Sequence, residues 1–347
     1  MRAAVYYRNN DVRVEEVPKP SIGKREVLLK ISMCGICGSD VMEWYRIKKA
    51  PRVLGHEAFG VISEVGETVE GYEVGDRVFV SHHVPCNTCS YCLRGDHTAC
   101  ETLHNTNIDP GGFAEYARVP EINVETGLFP LPPNVSDEEG VFIEPLGCVV
   151  RGQRRMGIGH GDTVLVLGSG ISGILHIQLA KAQGAARVIA TDINEHRIKY
   201  AQHFGADEVF DGRDNVHTLA REANGGRGFN HVVVSTAALP AIKQGIQCVE
   251  DGGTFLHFAP TQPGVELPLD LNDLWSRQLT VTTTYAASPD DLTTALGLIR
   301  LKRVNVGEMV THRLGLDETG SGFRLVAEAG DSLKVVVEPH RLMSGAV

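Results

Sequence analysis

No apolar run in the 347-residue chain approaches the ~20 residues that a membrane helix needs. Basic charge is not in excess either: 33 lysines and arginines stand against 43 acids, a formal charge of −10. A surface of that sign argues against nonspecific nucleic-acid binding, which needs a basic footprint. Repeats and low-complexity segments are absent, and the 38 glycines are scattered without period, which excludes a collagen-like chain. The start, Met1-Arg2-Ala3-Ala4-Val5-Tyr6, lacks the apolar core of a signal peptide and runs straight into a strand pattern. A cytoplasmic protein with neither membrane nor nucleic acid as partner is expected.

What is present is the composition of a soluble globular protein, 42% hydrophobic and 22% charged. The length exceeds one ordinary core and implies two domains, since domains cluster near ~100–200 residues. Residues 1–150 are β-rich, with runs such as Val27–Ile31 and Val61–Val65 punctuated by Gly75-Asp76 and Pro110-Gly111-Gly112. Near Glu144 the rhythm changes to helices alternating with apolar strands at 163–168, 188–192, 208–210, 231–235, 254–258 and 279–285. That alternation implies an α/β fold with a parallel, doubly wound sheet over 151–288. A helix at 292–302 and strands at 309–313 and 334–338 follow, so 289–347 is assigned with 1–150 to the other domain.

Thr163-Val164-Leu165-Val166-Leu167 reads as a strand buried on both faces and leads into Gly168-Ser169-Gly170-Ile171-Ser172-Gly173. Gly168 permits a tight turn, Gly170 lets a pyrophosphate approach the backbone, and Gly173 allows close helix–strand packing. The N–H groups of Ile171 and Ser172 at the helix start face the phosphates. Asp192 closes the next strand and suits the ribose hydroxyls of NAD, repelling the 2′-phosphate of NADP. Arg197 lies close enough to complicate that choice, and Asp192 has an alternative as a helix cap. Ligands sit outside the carboxyl ends of parallel strands, which makes Thr236, Ala259 and Tyr285 candidates for the nicotinamide half, with loop packing as the alternative.

Eight cysteines are present, four of them in Cys86-x2-Cys89-x2-Cys92-x7-Cys100. In a reducing compartment such a cluster means metal before disulfides. Four thiolates at this spacing suit a closed, tetrahedral structural zinc. A nucleic-acid-binding zinc ribbon is the rival reading, and no basic, aromatic strip flanks the cluster.

Cys34-Gly35-Ile36-Cys37-Gly38-Ser39-Asp40 is followed by Gly55-His56-Glu57, then Gly60, Gly66 and Val69. The pattern GHE-x2-G-x5-G-x2-V resembles the zinc signature of the medium-chain alcohol and polyol dehydrogenases. The four-cysteine lobe and the glycine turn fall in that family's order, from Met1 to about Pro339. Ile143-Glu144-Pro145-Leu146-Gly147 is similar to the sorbitol, threonine and glucose dehydrogenase branch, which has a Glu where ordinary alcohol dehydrogenases have a Cys.

The resemblance implies a β-rich GroES-like catalytic domain and a Rossmann coenzyme domain, with one catalytic and one structural zinc per chain and NAD as coenzyme. Cys37, His56 and Glu57 hold or flank the catalytic zinc, with Glu57 alternating between bound and unbound. Glu144 is the last protein ligand, direct or through water. Asp40 orients His56 through its second ring nitrogen. Ser39 takes the substrate proton, its alternative being a turn or cap. Many relatives carry a His five residues after the zinc cysteine, and Met42 stands there instead. His82 or His83, on opposite faces of an alternating strand, then offers a replacement relay, with His82 preferred. Cys34, Cys148 and Cys248 are read as packed thiols.

The implied reaction is oxidation of a secondary hydroxyl of a polyol or sugar-like small molecule by NAD; L-threonine or an aldose is the runner-up. Trp44 and Tyr45 are candidate pocket walls or simple packing. Arg46, Lys48, Lys49 and Arg52 leave a phosphorylated polyol open, against the reading of a solvated basic face. A noncatalytic zinc- and nucleotide-binding scaffold would be expected to lose Cys37, His56 or Glu144, and all three are present. A homo-oligomer, tetramer or dimer, is expected, with Leu279–Thr284 as a candidate sheet-extending edge.

Overall fold

The computed structural model describes residues 1–341 and divides the chain into two compact units. One contains residues 1–147, 286–301 and 306–341; the other contains 148–285 and 302–305. No helix among the described residues is long and apolar enough to cross a membrane.

The second unit is a six-stranded, wholly parallel sheet. From edge to edge its strands are Glu208–Asp211, Arg187–Asp192, Thr163–Leu167, Phe229–Val234, Val249–His257 and Thr280–Thr283. Chain order therefore reverses beside Thr163–Leu167, every residue of which is buried. Helices Ile171–Ala182, Glu195–His203, Val216–Ala223 and Leu239–Cys248 make the crossovers. This is the doubly wound α/β arrangement that the alternating rhythm implies.

The first unit is β-rich. A seven-stranded sheet runs Val310–Gly315, Lys334–Glu338, Val27–Gly35, Glu57–Val65, Arg77–Ser81 and Leu128–Pro130, with Tyr116–Val119 also pairing with Val27–Gly35. A smaller sheet joins Asp11–Glu16, Arg2–Arg8 and Arg52–Val53. Phe113, Phe323, Tyr6 and the aliphatic side chains of both sheets share one core.

Three strands of the larger sheet converge on Gly35. It pairs with Glu57 on one side and with Val336 on the other. The Lys334 ammonium donates to Glu57 Oε2, and both side chains are 1% exposed. A Cβ at position 35 would collide with that carboxylate oxygen and come within 2.7 Å of Lys334 Cε. Burial disfavours the Lys334 charge, but Glu57 and then Cys37 outweigh it and hold the ammonium above its usual range. A lysine that opens the apolar run Val335-Val336-Val337 thus serves as the counter-charge of a buried glutamate.

Two predictions follow from these packings. Lys334→Met should cost ~3–5 kcal/mol in urea unfolding, because it strands a buried carboxylate. Glu57→Gln combined with Lys334→Met should recover most of that loss; a cost under ~1 kcal/mol for the single variant would show that the pair does not hold Glu57. Gly173→Ala should destabilise by ~1–3 kcal/mol, since its Cβ would run into the Gly168 carbonyl. Gly297→Ala, in helix Pro289–Arg300 with open space around it, should instead stabilise by ~0.5–1 kcal/mol in the same assay.

Candidate active site

Cys37 lies two residues beyond strand Val27–Gly35, and His56 one residue before strand Glu57–Val65. Those strands are antiparallel neighbours with Gly35 opposite Glu57, so the register itself brings the three side chains together. The candidate ligand atoms of Cys37, His56 and Glu57 lie within 4.8 Å of one another. Glu57 Oε2 accepts from the Lys334 ammonium, and its buried Oε1 has no hydrogen-bond partner among the described residues. A buried carboxylate oxygen, a sulfur and an imidazole converging in this way fit a zinc ion. Glu144, in the first turn of helix Ile143–Met156, is buried but stands outside that 4.8 Å cluster. Its charge acts on Lys334.

Asp40 is fully buried beneath the cluster. Its Oδ1 lies 3.3 Å from His56 Nδ1, and its Oδ2 accepts the Cys37 N–H at 3.1 Å. Engaging Nδ1 leaves Nε2 available to a metal. Burial works against the Asp40 charge, but His56 and then Arg46 outweigh it and keep the carboxyl below its usual range. Burial likewise disfavours a charged His56, yet Asp40 and Cys37 raise its pKa well above the ordinary value.

Arg46, carried by the short helix Glu43–Arg46, links this group to Ser39. Its Nη2 donates to Ser39 Oγ and its Nε to the Ser39 carbonyl, both at 2.9 Å. The same Nη2 lies 3.3 Å from Asp40 Oδ1. Ser39 therefore caps no helix; the N-cap of Glu43–Arg46 is Met42, without a side-chain bond. Of the four basic residues in this stretch, Lys48 and Lys49 are exposed, whereas Arg46 and Arg52 are half-buried, so a solvated face describes only the lysines. Tyr45 is exposed, with Arg46 over its ring at 4.9 Å, and Trp44 packs beside it with ring centroids 5.8 Å apart.

The two histidines differ from the alternation expected of them. The strand ends at Ser81, so the period-two rule no longer applies beyond it. The His82 and His83 rings pack on each other with centroids 3.9 Å apart, and His82 lies 4.9 Å from His56. Burial, and then the charges of neighbouring residues, push His82 well below the usual histidine pKa; burial takes His83 to about 4.

In the cysteine lobe, Cys86, Cys89, Cys92 and Cys100 place their sulfurs within 4.8 Å of one another. Cys89 and Cys92 sulfurs are 3.5 Å apart, and Cys100 and Cys86 sulfurs 3.6 Å. Those separations are too long for disulfides, whose bond is about 2.05 Å. They approach the ~3.8 Å edge of a tetrahedron of thiolates at ~2.3 Å from zinc. The Thr88 hydroxyl and the N–H groups of Thr88 and Cys89 draw the Cys86 thiol down to about 5, while burial pushes Cys92 up to about 12.

In the second unit, Gly168 takes a φ of +93° at the end of its strand, and Gly170 caps helix Ile171–Ala182. Ile171 and Ser172 are half-exposed in the first turn of that helix, and a Cβ on Gly170 would be 3.6 Å from Arg197 Nη1. Asp192 Oδ2 accepts the Ser169 N–H at 2.7 Å, and Oδ1 the Asn194 N–H at 2.9 Å. The cap of helix Glu195–His203 is Asn194, not Asp192. Thr236, Ala259 and Tyr285 follow the carboxyl ends of three strands on the same edge as the glycine turn.

Two participants escaped the sequence reading. Lys334 lies 277 residues from Glu57, and its only sequence signal is a lysine opening the apolar run Lys334-Val335-Val336-Val337. Arg46 sits in a run of basic residues that conceals its role.

Two family models match the chain: an alcohol dehydrogenase GroES-like domain over residues 23–133 and a zinc-binding dehydrogenase over 172–300. A probable D-xylulose reductase A from Neosartorya fischeri is 32% identical over 342 residues, covering 94% of each chain. A sorbitol dehydrogenase from Halalkalibacterium halodurans is 33% identical over 333 residues, covering 94% of this chain and 95% of that one. The solved structure of an alcohol dehydrogenase from Thermus sp. ATN1 superposes with a TM-score of 0.87 at 28% identity, covering 97% of this chain and 99% of that chain. The chain therefore belongs to the zinc-dependent medium-chain alcohol and polyol dehydrogenases, and is an oxidoreductase acting on the hydroxyl of a polyol or sugar-like substrate.

Proposed function

We propose that this enzyme oxidises a secondary hydroxyl with NAD at the Cys37–His56–Glu57 cluster, the first unit being catalytic and the second holding the coenzyme. The observation that carries the assignment is the cluster itself: a sulfur, an imidazole and a carboxylate within 4.8 Å of one another, the glutamate fully buried. When bound, zinc supplies a Lewis acid that favours the alkoxide, and NAD supplies the hydride acceptor. Cys37 and His56 hold the metal, with Glu57 beside them and Glu144 as the last ligand, direct or through water. Cys86, Cys89, Cys92 and Cys100 hold the structural ion.

The chain's own residues divide the remaining work. Asp40 fixes the His56 ring. Arg46 orients Ser39 by donating to its Oγ, which leaves the Ser39 hydroxyl hydrogen and a lone pair for the reacting hydroxyl. Ser39 Oγ can then accept the substrate proton as its own proton passes to water. Arg46 cannot take that proton, because a guanidinium stays charged. His82 forms a wall beside His56, and its lowered pKa keeps it neutral there. In the second unit, Gly168, Gly170, Ile171, Ser172 and Gly173 cradle the pyrophosphate, with Arg197 beside them. Asp192 meets the ribose with the lone pairs that Ser169 and Asn194 leave free. Thr236, Ala259 and Tyr285 border the nicotinamide half.

None of the eight cysteines forms a disulfide, which suits the reducing cytoplasm. Strand Thr280–Thr283 is an edge of its sheet with mostly exposed side chains, and nearby Trp275 is 78% exposed. An uncovered edge of that kind supports a homo-oligomer, dimer or tetramer.

Two outcomes are expected. Purified enzyme should reduce NAD with polyols; Cys37→Ser should lower kcat at least ~1,000-fold while preserving the thermal midpoint, whereas Cys89→Ser should lower the midpoint because a closed zinc site contributes folding energy. Equal effects of both substitutions on both readouts would contradict the division of roles. Asp192→Ala should weaken NAD about tenfold or more and reduce the preference over NADP; a wild-type enzyme that already prefers NADP would refute the role given to Asp192.

A further inference from the structure

Arg52 and Lys49 border a cavity of about 490 Å³ in the first unit, together with Asn105, Asn107, Asp109 and Arg118. That volume suits a small polyol with a charged end. Two of the charges are already satisfied: Arg118 pairs with Asp109 at 3.2 Å and with Glu26 at 2.8 Å. Lys49 and Arg52 form no ion pair among the described residues.

Arg52 is the unusual member. It is half-buried, and strand Arg52–Val53 fixes its backbone against Tyr6. Burial, and then the neighbouring charge of Arg46, pull its pKa below the usual arginine range. Of the acids near it, Asp109 in the cavity wall is paired with Arg118, and Asp40 is shared between Arg46 and His56. Arg52 also lies within electrostatic reach of His82, whose ring packs against His56. A partly desolvated guanidinium beside a second cation, without a carboxylate of its own, is a costly arrangement unless an anion joins it.

We propose that the substrate is an anionic hydroxyl compound, a polyol bearing a carboxylate or phosphate, whose charged end is held by Arg52 and Lys49 while its hydroxyl reaches the Cys37–His56 cluster. The Asn105 and Asn107 amides border the same space and suit the intervening hydroxyls or the anion's remaining oxygens. Arg46 is not part of this anion site, because Ser39 and Asp40 already take its donors. The inference rests on the polyol dehydrogenase reading above.

The test compares xylitol and D-sorbitol with D-gluconate and D-sorbitol 6-phosphate, the two anions distinguishing carboxylate from phosphate. NAD reduction is measured for the wild type, Arg52→Gln and Lys48→Gln, and calorimetric titration measures binding of the same four compounds to the enzyme with NADH. At least one anion should exceed its neutral counterparts in kcat/KM by at least ~30-fold, as a charge-assisted contact allows. Arg52→Gln should collapse that ratio at least ~10-fold, chiefly through KM, and Lys48→Gln should leave it in place. Oxidation of the neutral polyols with no preference for either anion would overturn the proposal and leave the dehydrogenase reading standing. Tight, Arg52-dependent binding of an anion without turnover would support the anion site and count against the dehydrogenase reading. Equal binding of all four compounds to wild type and Arg52→Gln would overturn the proposal whatever the turnover.

Discussion

A glutamate and a lysine buried together over Gly35 set the geometry on which the first unit depends. Each charge alone would be expelled from so dry a place, and each is tolerated because the other is there. The pair needs three strands in register: Lys334 arrives on one side of Gly35 and Glu57 on the other. It also needs position 35 to carry no side chain, since a Cβ would occupy the space where the two groups meet. Lys334 fixes Oε2 of the carboxylate and leaves Oε1 without a hydrogen-bond partner among the described residues, on a side chain that clusters with Cys37 and His56. The ammonium thus decides how much of Glu57 a metal can claim. The contact spans 277 residues, so the site is complete only once the end of the chain has folded back onto its beginning.

Asp40 is a second hub built on the same logic. One fully buried carboxylate receives the Cys37 N–H and stands 3.3 Å from both His56 Nδ1 and Arg46 Nη2. Moving any of these groups disturbs the others. Ser39 belongs to the same set through Arg46. At Met42, where many relatives carry a histidine, this chain has no such group, and Arg46, four residues further on, holds Ser39 instead.

Local signals were legible, and long-range ones were not. Strand Lys334–Glu338 and the parallel strand order around Thr163–Leu167 follow from apolar runs and glycine turns, because alternation and burial are written in consecutive residues. Cys37, His56 and Glu57 were recognisable because their spacing is a motif, and the four-cysteine lobe for the same reason. Lys334 was not, since a counter-charge is defined by register between strands remote in sequence. Arg46 and Arg52 were hidden by composition: four basic residues in one stretch look alike until burial separates them. The expectation that His82 and His83 point to opposite faces failed for a local reason, the strand ending one residue too early for alternation to apply.

Crystals of the zinc-loaded enzyme, measured by anomalous diffraction on either side of the zinc absorption edge, test the central claim most directly. Two peaks per chain are expected. One should lie among the sulfurs of Cys86, Cys89, Cys92 and Cys100; the other should touch Cys37 Sγ and His56 Nε2, with Glu57 still bonded to Lys334 through one oxygen. A single peak in the cysteine lobe, or a second peak away from Cys37 and His56, would contradict it.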